Sequence, residues 1–127
     1  MVCVGMSTHI GSKIIKLADG NVISPLEMLT SAVNTRASDI HLIGGDCPWF
    51  RIDGELQRQT QYSPVTKNIV QEILTTLIPA KGTIELHEDN NVDASFQSPN
   101  GSRFRINASR IYDPAESTDQ NIQVAIR

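Results

Sequence analysis

The chain has 127 residues, a formal net charge of −3, 39% hydrophobic residues and 20% charged residues. That is one domain's worth of foldable composition, which excludes a disordered chain and makes disulfide staples unnecessary. The negative balance excludes general adhesion to nucleic acid, so anion binding must be local, and no apolar run approaches the ~18 residues of a membrane span.

Residues 1–24 are expected as an N-terminal extension. Its first 12 residues form a flexible leader lacking the charged start and long apolar stretch of a signal peptide. A short hairpin follows over 13–24, where Asp19-Gly20 is the turn between Ile14, Ile15, Leu17 and the pair Val22, Ile23. Cys3 falls in the leader and Cys47 in a loop; nothing frames them as a secreted disulfide, so free thiols are expected. Together these features imply the cytoplasm.

Ser24-Pro25-Leu26-Glu27 starts a helix with an N-cap serine, a proline at the first helical position and a glutamate completing a capping box. Leu26, Leu29, Ala32 and Val33 recur at helical spacing, and the helix should end near residues 34–36. Residues 37–45 form a strand closed by Gly44-Gly45, with Ile40 and Leu42 on one face and Asp39 and His41 on the other. Residues 49–59 form a hairpin turning at Asp53-Gly54. Ser63-Pro64 predicts the start of a second helix, striped by Val65, Ile69, Val70, Ile73, Leu74 and Leu77 and stopped by Pro79. A shorter helix is expected over 81–87, a strand over 92–96 and a polar loop over 113–120. The last strand, 121–127, turns Ile122, Val124 and Ile126 inward and Arg127 outward. This order predicts an α+β fold, an antiparallel-rich sheet packed by helices.

The strand over 101–111 is entered from a turn at Pro99-Asn100-Gly101. Phe104, Ile106 and Ala108 alternate with Arg103, Arg105 and Asn107, so one face is apolar and the other carries guanidiniums ~6.7 Å apart. Two forks at that spacing suit a di- or triphosphate, each binding anionic oxygens bidentately. The plainer alternative is that they are solvated, or paired with the acidic run over 85–93. Arg51 and Arg58 are assigned that plainer role.

Other chemistries find little support. A phosphate-cradling GxxxxGK[ST] loop is absent; Lys81-Gly82-Thr83 resembles its tail but lacks the earlier glycine. Asp39 and His41 offer two metal ligands that His87 or Asp93 would have to complete, whereas local hydrogen bonding explains both residues. Cys47, beside Pro48, has no sequence-local base. Bases would need aromatics on the basic face, and Phe104 alternates away from the arginines, so no nucleic-acid partner is expected.

Four pieces in order resemble the N-terminal domain of the secretion and pilus ATPase superfamily, the motors of type II secretion and type IV pili. They are Ala37-Ser38-Asp39-Ile40-His41-Leu42, then Arg51-Ile52-Asp53-Gly54-Glu55-Leu56, then Asp93-Ala94-Ser95-Phe96 with Arg103-Phe104-Arg105-Ile106-Asn107, and last Val124-Ala125-Ile126-Arg127. The likeness covers residues 25–127 and leans to the pilus retraction branch, because ASDIHL opens soon after a single helix. A motor of type IV secretion or conjugation looks similar. The chain departs from the family in its leader and in a long acidic loop over 110–120.

The resemblance implies a PAS-like fold and a RecA-like domain after Arg127, which makes this chain a fragment. It implies a homo-hexamer in the full-length protein, with ATP and Mg²⁺ bound there and neither expected on this fragment. The implied partners are RecA-like domains of the same and the neighbouring subunit and an inner-membrane platform protein, with the motor peripheral to that membrane. By motif position, Arg105, Arg127 and, third, Arg103 would bind the nucleotide, and no residue is catalytic in isolation. The rival from another class is a free-standing PAS-like ligand-binding or protein-interaction module, which would need a sizeable apolar pocket.

Overall fold

The structure is a computed structural model, and it describes residues 12–78, 91–111 and 121–127. The elements, in chain order, are β1 (Ile15–Lys16), β2 (Val22–Ile23), α1 (Pro25–Asn34), β3 (Ala37–Ile43), β4 (Trp49–Ile52), β5 (Glu55–Arg58), α2 (Lys67–Leu77), β6 (Asn91–Gln97), β7 (Arg103–Ile111) and β8 (Asn121–Ile126). The expected helix over 81–87 and the loop over 113–120 lie outside the described residues.

β1 and β2 pair with each other, and the other strands form one antiparallel sheet in the order β5-β4-β3-β8-β7-β6. Two meanders, β3-β4-β5 and β6-β7-β8, join where β8 pairs with β3. The last strand in sequence therefore occupies the middle of the sheet. This is the expected α+β, PAS-like arrangement, with α1 and α2 packed against the sheet.

Strict alternation splits the sheet into two faces. Ile40, Leu42, Phe50, Val92, Phe96, Ile106, Ala108, Val124 and Ile126 are buried with Met28, Leu29 and Ala32 of α1 and Val70, Ile73, Leu74 and Leu77 of α2. Each Val, Leu, Ile, Phe or Met among them contributes about 1.5–3 kcal/mol on burial. The opposite face carries Asp39, His41, Arg51, Asp93, Arg103, Arg105, Asn107 and Arg127. The hairpin of β1 and β2 is not separate from this core: Ile15 is fully buried in it, and the Lys16 carbonyl accepts from the Ser63 N–H at 3.0 Å.

Local chemistry accounts for most element ends. The Ser24 hydroxyl accepts from the Glu27 N–H at 3.1 Å, capping α1. The Glu27 carboxylate does not reach back to complete the capping box; it lies 4.0 Å from Lys13 Nζ. Val33 is half exposed and Met28 is buried in its stead, so the apolar stripe of α1 is rotated from the one expected. Asp53 and Gly54 have φ of 53° and 79°, the two left-handed residues of a tight hairpin turn, and glycine adopts that conformation at little cost.

The start of α2 corrects the sequence expectation. It is capped by Thr66, whose hydroxyl accepts from the Ile69 N–H at 3.2 Å, and not by Ser63 ahead of Pro64. Val65 is drawn instead into a β-bridge: its N–H donates to the Asp46 carbonyl at 2.9 Å and its carbonyl accepts from Gly45 at 2.7 Å. A residue in that extended conformation cannot also begin a helical turn. Cys47 is buried with a free thiol that donates to the Tyr62 carbonyl at 3.3 Å.

Candidate phosphate-binding face

β7 and β8 place two of the three expected arginines side by side. Arg105 and Arg127 are directly opposed: the Arg105 N–H donates to the Arg127 carbonyl at 2.9 Å and the Arg127 N–H to the Arg105 carbonyl at 2.8 Å. Residues exchanging both bonds stand about 5.5 Å apart at Cα and project to the same face. Ile106 and Ile126 beside them face each other in the core, so both arginines must point to solvent. Both are exposed. Arg103, two residues earlier on β7, is exposed on the same face.

Arg105 and Arg127 differ in their pairing. Arg105 donates through Nε to Asp93 Oδ1 at 3.2 Å and through Nη2 to Asp93 Oδ2 at 2.7 Å, a bidentate fork reaching diagonally to β6. That hydrogen bond holds the Asp93 carboxyl below the usual carboxylate range and pushes the Arg105 guanidinium up. Among the described residues, Arg127 and Arg103 have no ion-pair partner. Among the described residues, three guanidiniums thus face one carboxylate here, a local positive excess on a chain whose net charge is −3.

Concavities flank Arg105 on both sides. One, of about 390 Å³, is bounded by Asp93, Arg105, Asn107 and Arg127 over the small side chain of Ala125. The other, of about 530 Å³, runs past Ser95, Arg103 and Arg127. The sequence assigns Asn107 and Ala125 no binding role. Their parity with Arg105 and Arg127 puts them on this face, but only the pairing of Asn107 with Ala125 makes them neighbours.

The remaining polar residues of the face are committed to structure. Asp39 accepts from the Ser38 hydroxyl at 2.7 Å, from Arg51 Nε at 3.2 Å and from His41 Nε2. Burial raises the Asp39 carboxyl, but the bonds from Ser38, His41 and Arg51 together outweigh it and leave the group below its ordinary value. Arg58 pairs with Asp46 at 2.8 Å, and Asp46 also accepts from Trp49 Nε1 at 3.0 Å. Arg51 and Arg58 are therefore paired surface residues, with Asp39 and Asp46 as partners, which lie outside the acidic run over 85–93. Phe104 turns away from the guanidiniums and stacks on Phe96, with ring centroids 6.3 Å apart.

No protein-family model matches the chain. It is 32% identical over 82 residues to the type IV pilus retraction ATPase PilT of Pseudomonas aeruginosa, covering 65% of this chain and 24% of that protein. The crystal structure of the pilus retraction motor PilT with bound ADP is similar at a TM-score of 0.68 and 29% identity, over 80% of this chain and 28% of that one. The ATPase DotB of Legionella pneumophila shares the fold at a TM-score of 0.67 and 22% identity, over 81% of this chain and 28% of its own. The chain thus spans about a quarter of the length of these relatives. Among its described residues, no helix is long and apolar enough to cross a membrane. Sequence, strand order and fold agree: the chain resembles the N-terminal domain of the secretion and pilus ATPase superfamily, with its likeness leaning to the pilus retraction motor PilT.

Proposed function

We propose that this domain lends Arg105 and Arg127, with Arg103 as a third donor, to the phosphates of a nucleotide held by a RecA-like domain of a neighbouring subunit. The observation that carries this reading is the opposed, same-face, exposed pair of Arg105 and Arg127. Two forks about 5.5 Å apart at Cα can converge on one phosphoryl group. The residues present fit phosphate oxygens. ATP with its Mg²⁺, bound by the RecA-like domain, supplies the phosphoryl chemistry, and the two arginines add donors where charge spreads over the γ-phosphate oxygens.

The rigid sheet carries both arginines on adjacent central strands, so the domain moves them as one body when it swings toward or away from a neighbour. In that reading the full-length protein is a homo-hexameric motor on the cytoplasmic side of an inner-membrane platform protein, driving pilus retraction, pilus assembly or secretion.

The test is made in the full-length motor. Arg105→Ala and Arg127→Ala should each lower kcat for ATP hydrolysis about 10²-fold with an unchanged melting temperature. Arg51→Ala, which removes an equal charge from the same face, should have a much smaller effect on turnover. Wild-type turnover in both Arg105 and Arg127 variants would remove these residues from the mechanism.

A further inference from the structure

We propose that Asp93 is an internal stand-in for phosphate: a carboxylate latch that occupies the Arg105 fork in the free domain and is displaced when a phosphoryl group arrives. This rests on the reading of Arg105 and Arg127 as phosphate-binding residues.

Asp93 uses the Nε and Nη2 edge of the guanidinium, with oxygens at 3.2 and 2.7 Å. Two anionic oxygens on one edge of a guanidinium is also the arrangement a phosphoryl group makes, so carboxylate and phosphate compete for the same donors. The pair is built to exchange. Its side chains are 72% exposed for Arg105 and 48% for Asp93, and Asp93 accepts from no other side chain among the described residues. Asp39, which is structural, is held by three donors and its side chain is only 12% exposed.

The two arginines therefore stand in different states. Among the described residues Arg127 is open and Arg105 is occupied, one strand apart. An incoming phosphate meets Arg127 first and then takes Arg105 from Asp93, which water can solvate at the sheet surface. Arg105 keeps an anionic partner in both states, so the exchange selects for a ligand that carries more negative charge than a carboxylate. That favours the terminal phosphoryl group of a di- or triphosphate over a monoanion.

The experiment uses this 127-residue chain with sodium tripolyphosphate at low ionic strength, followed through the arginine Nε–H NMR signals. Asp93→Asn should tighten binding about two- to fivefold, the range expected for losing an exposed competing ion pair. Glu72→Gln, on the exposed side of α2, removes the same formal charge without touching Arg105 and should change binding less than twofold. In an Arg105→Ala background the Asp93→Asn gain should vanish. Asp93→Ser provides a second variant should the asparagine perturb the strand, and near-wild-type melting would certify each protein as folded. Unchanged or weaker binding by the folded Asp93 variants overturns the latch. Wild-type binding by both Arg105→Ala and Arg127→Ala instead overturns the phosphate reading, so the two failures are distinguishable.

Discussion

Arg127 stands across from Arg105 with its side chain on the same face, and among the described residues only Arg105 has a carboxylate to answer it. Like charges directly opposed on neighbouring strands destabilise a sheet. The arrangement is unfavourable for folding, and in the proposed role a bound anion would offset the repulsion.

Arg127→Gln in this chain should therefore leave the melting midpoint at or slightly above wild type. The increment should shrink as salt is raised, because screening acts over about 8 Å at physiological ionic strength. The same variant should bind tripolyphosphate more weakly. Thermal melts at two salt concentrations check the first part; a clear loss of stability at low salt would show that Arg127 has a structural role.

Asp39 gives the domain an acid-sensitive contribution. Its folded pKa is depressed, so its stabilisation is complete above the unfolded value of about 3.9 and is lost as pH falls through the folded one. Asp39→Asn should cost roughly 1 kcal/mol near neutral pH, a modest figure because Arg51 and His41 retain contact with water. The gap between variant and wild type should close below about pH 4. Urea midpoints across the acid range measure it, and a gap independent of pH would contradict the assignment.

Ile106 lies on β7 beside the central strand and is fully buried. Ile106→Ala should destabilise by about 2–5 kcal/mol, through lost transfer free energy and the cavity left behind. Leu56→Ala, on the edge strand and 44% exposed, should stay within about 0.5 kcal/mol. Equal losses in chemical denaturation would mean that the sheet does not divide into the two faces described.

Thr66→Ala should cost about 1 kcal/mol by removing the cap on α2. Helical circular dichroism and the urea midpoint should both fall. An unaffected protein would return the start of α2 to Ser63.

Much of the fold was legible because strand parity and helix capping are local. Alternation assigned Arg103 and Arg105 one face and Phe104 and Ile106 the other, and Ser24-Pro25 marked the start of α1. The failure at α2 was also physical. Ser63-Pro64 is a sound cap signal, but backbone hydrogen bonds between Val65 and residues 45–46 overrode it with a contact remote in sequence.

The sequence by itself determined that Arg103, Arg105 and Arg127 would project from strands with an apolar reverse side, because a period of two admits no other burial. Only the tertiary structure decided that Arg127 lies next to Arg105 and that Asp93 reaches the Arg105 fork. Periodicity sets which face a side chain takes and says nothing of which strands are neighbours. That choice is made when two meanders must close over one helical layer, and closure requires the last strand to enter the middle of the sheet.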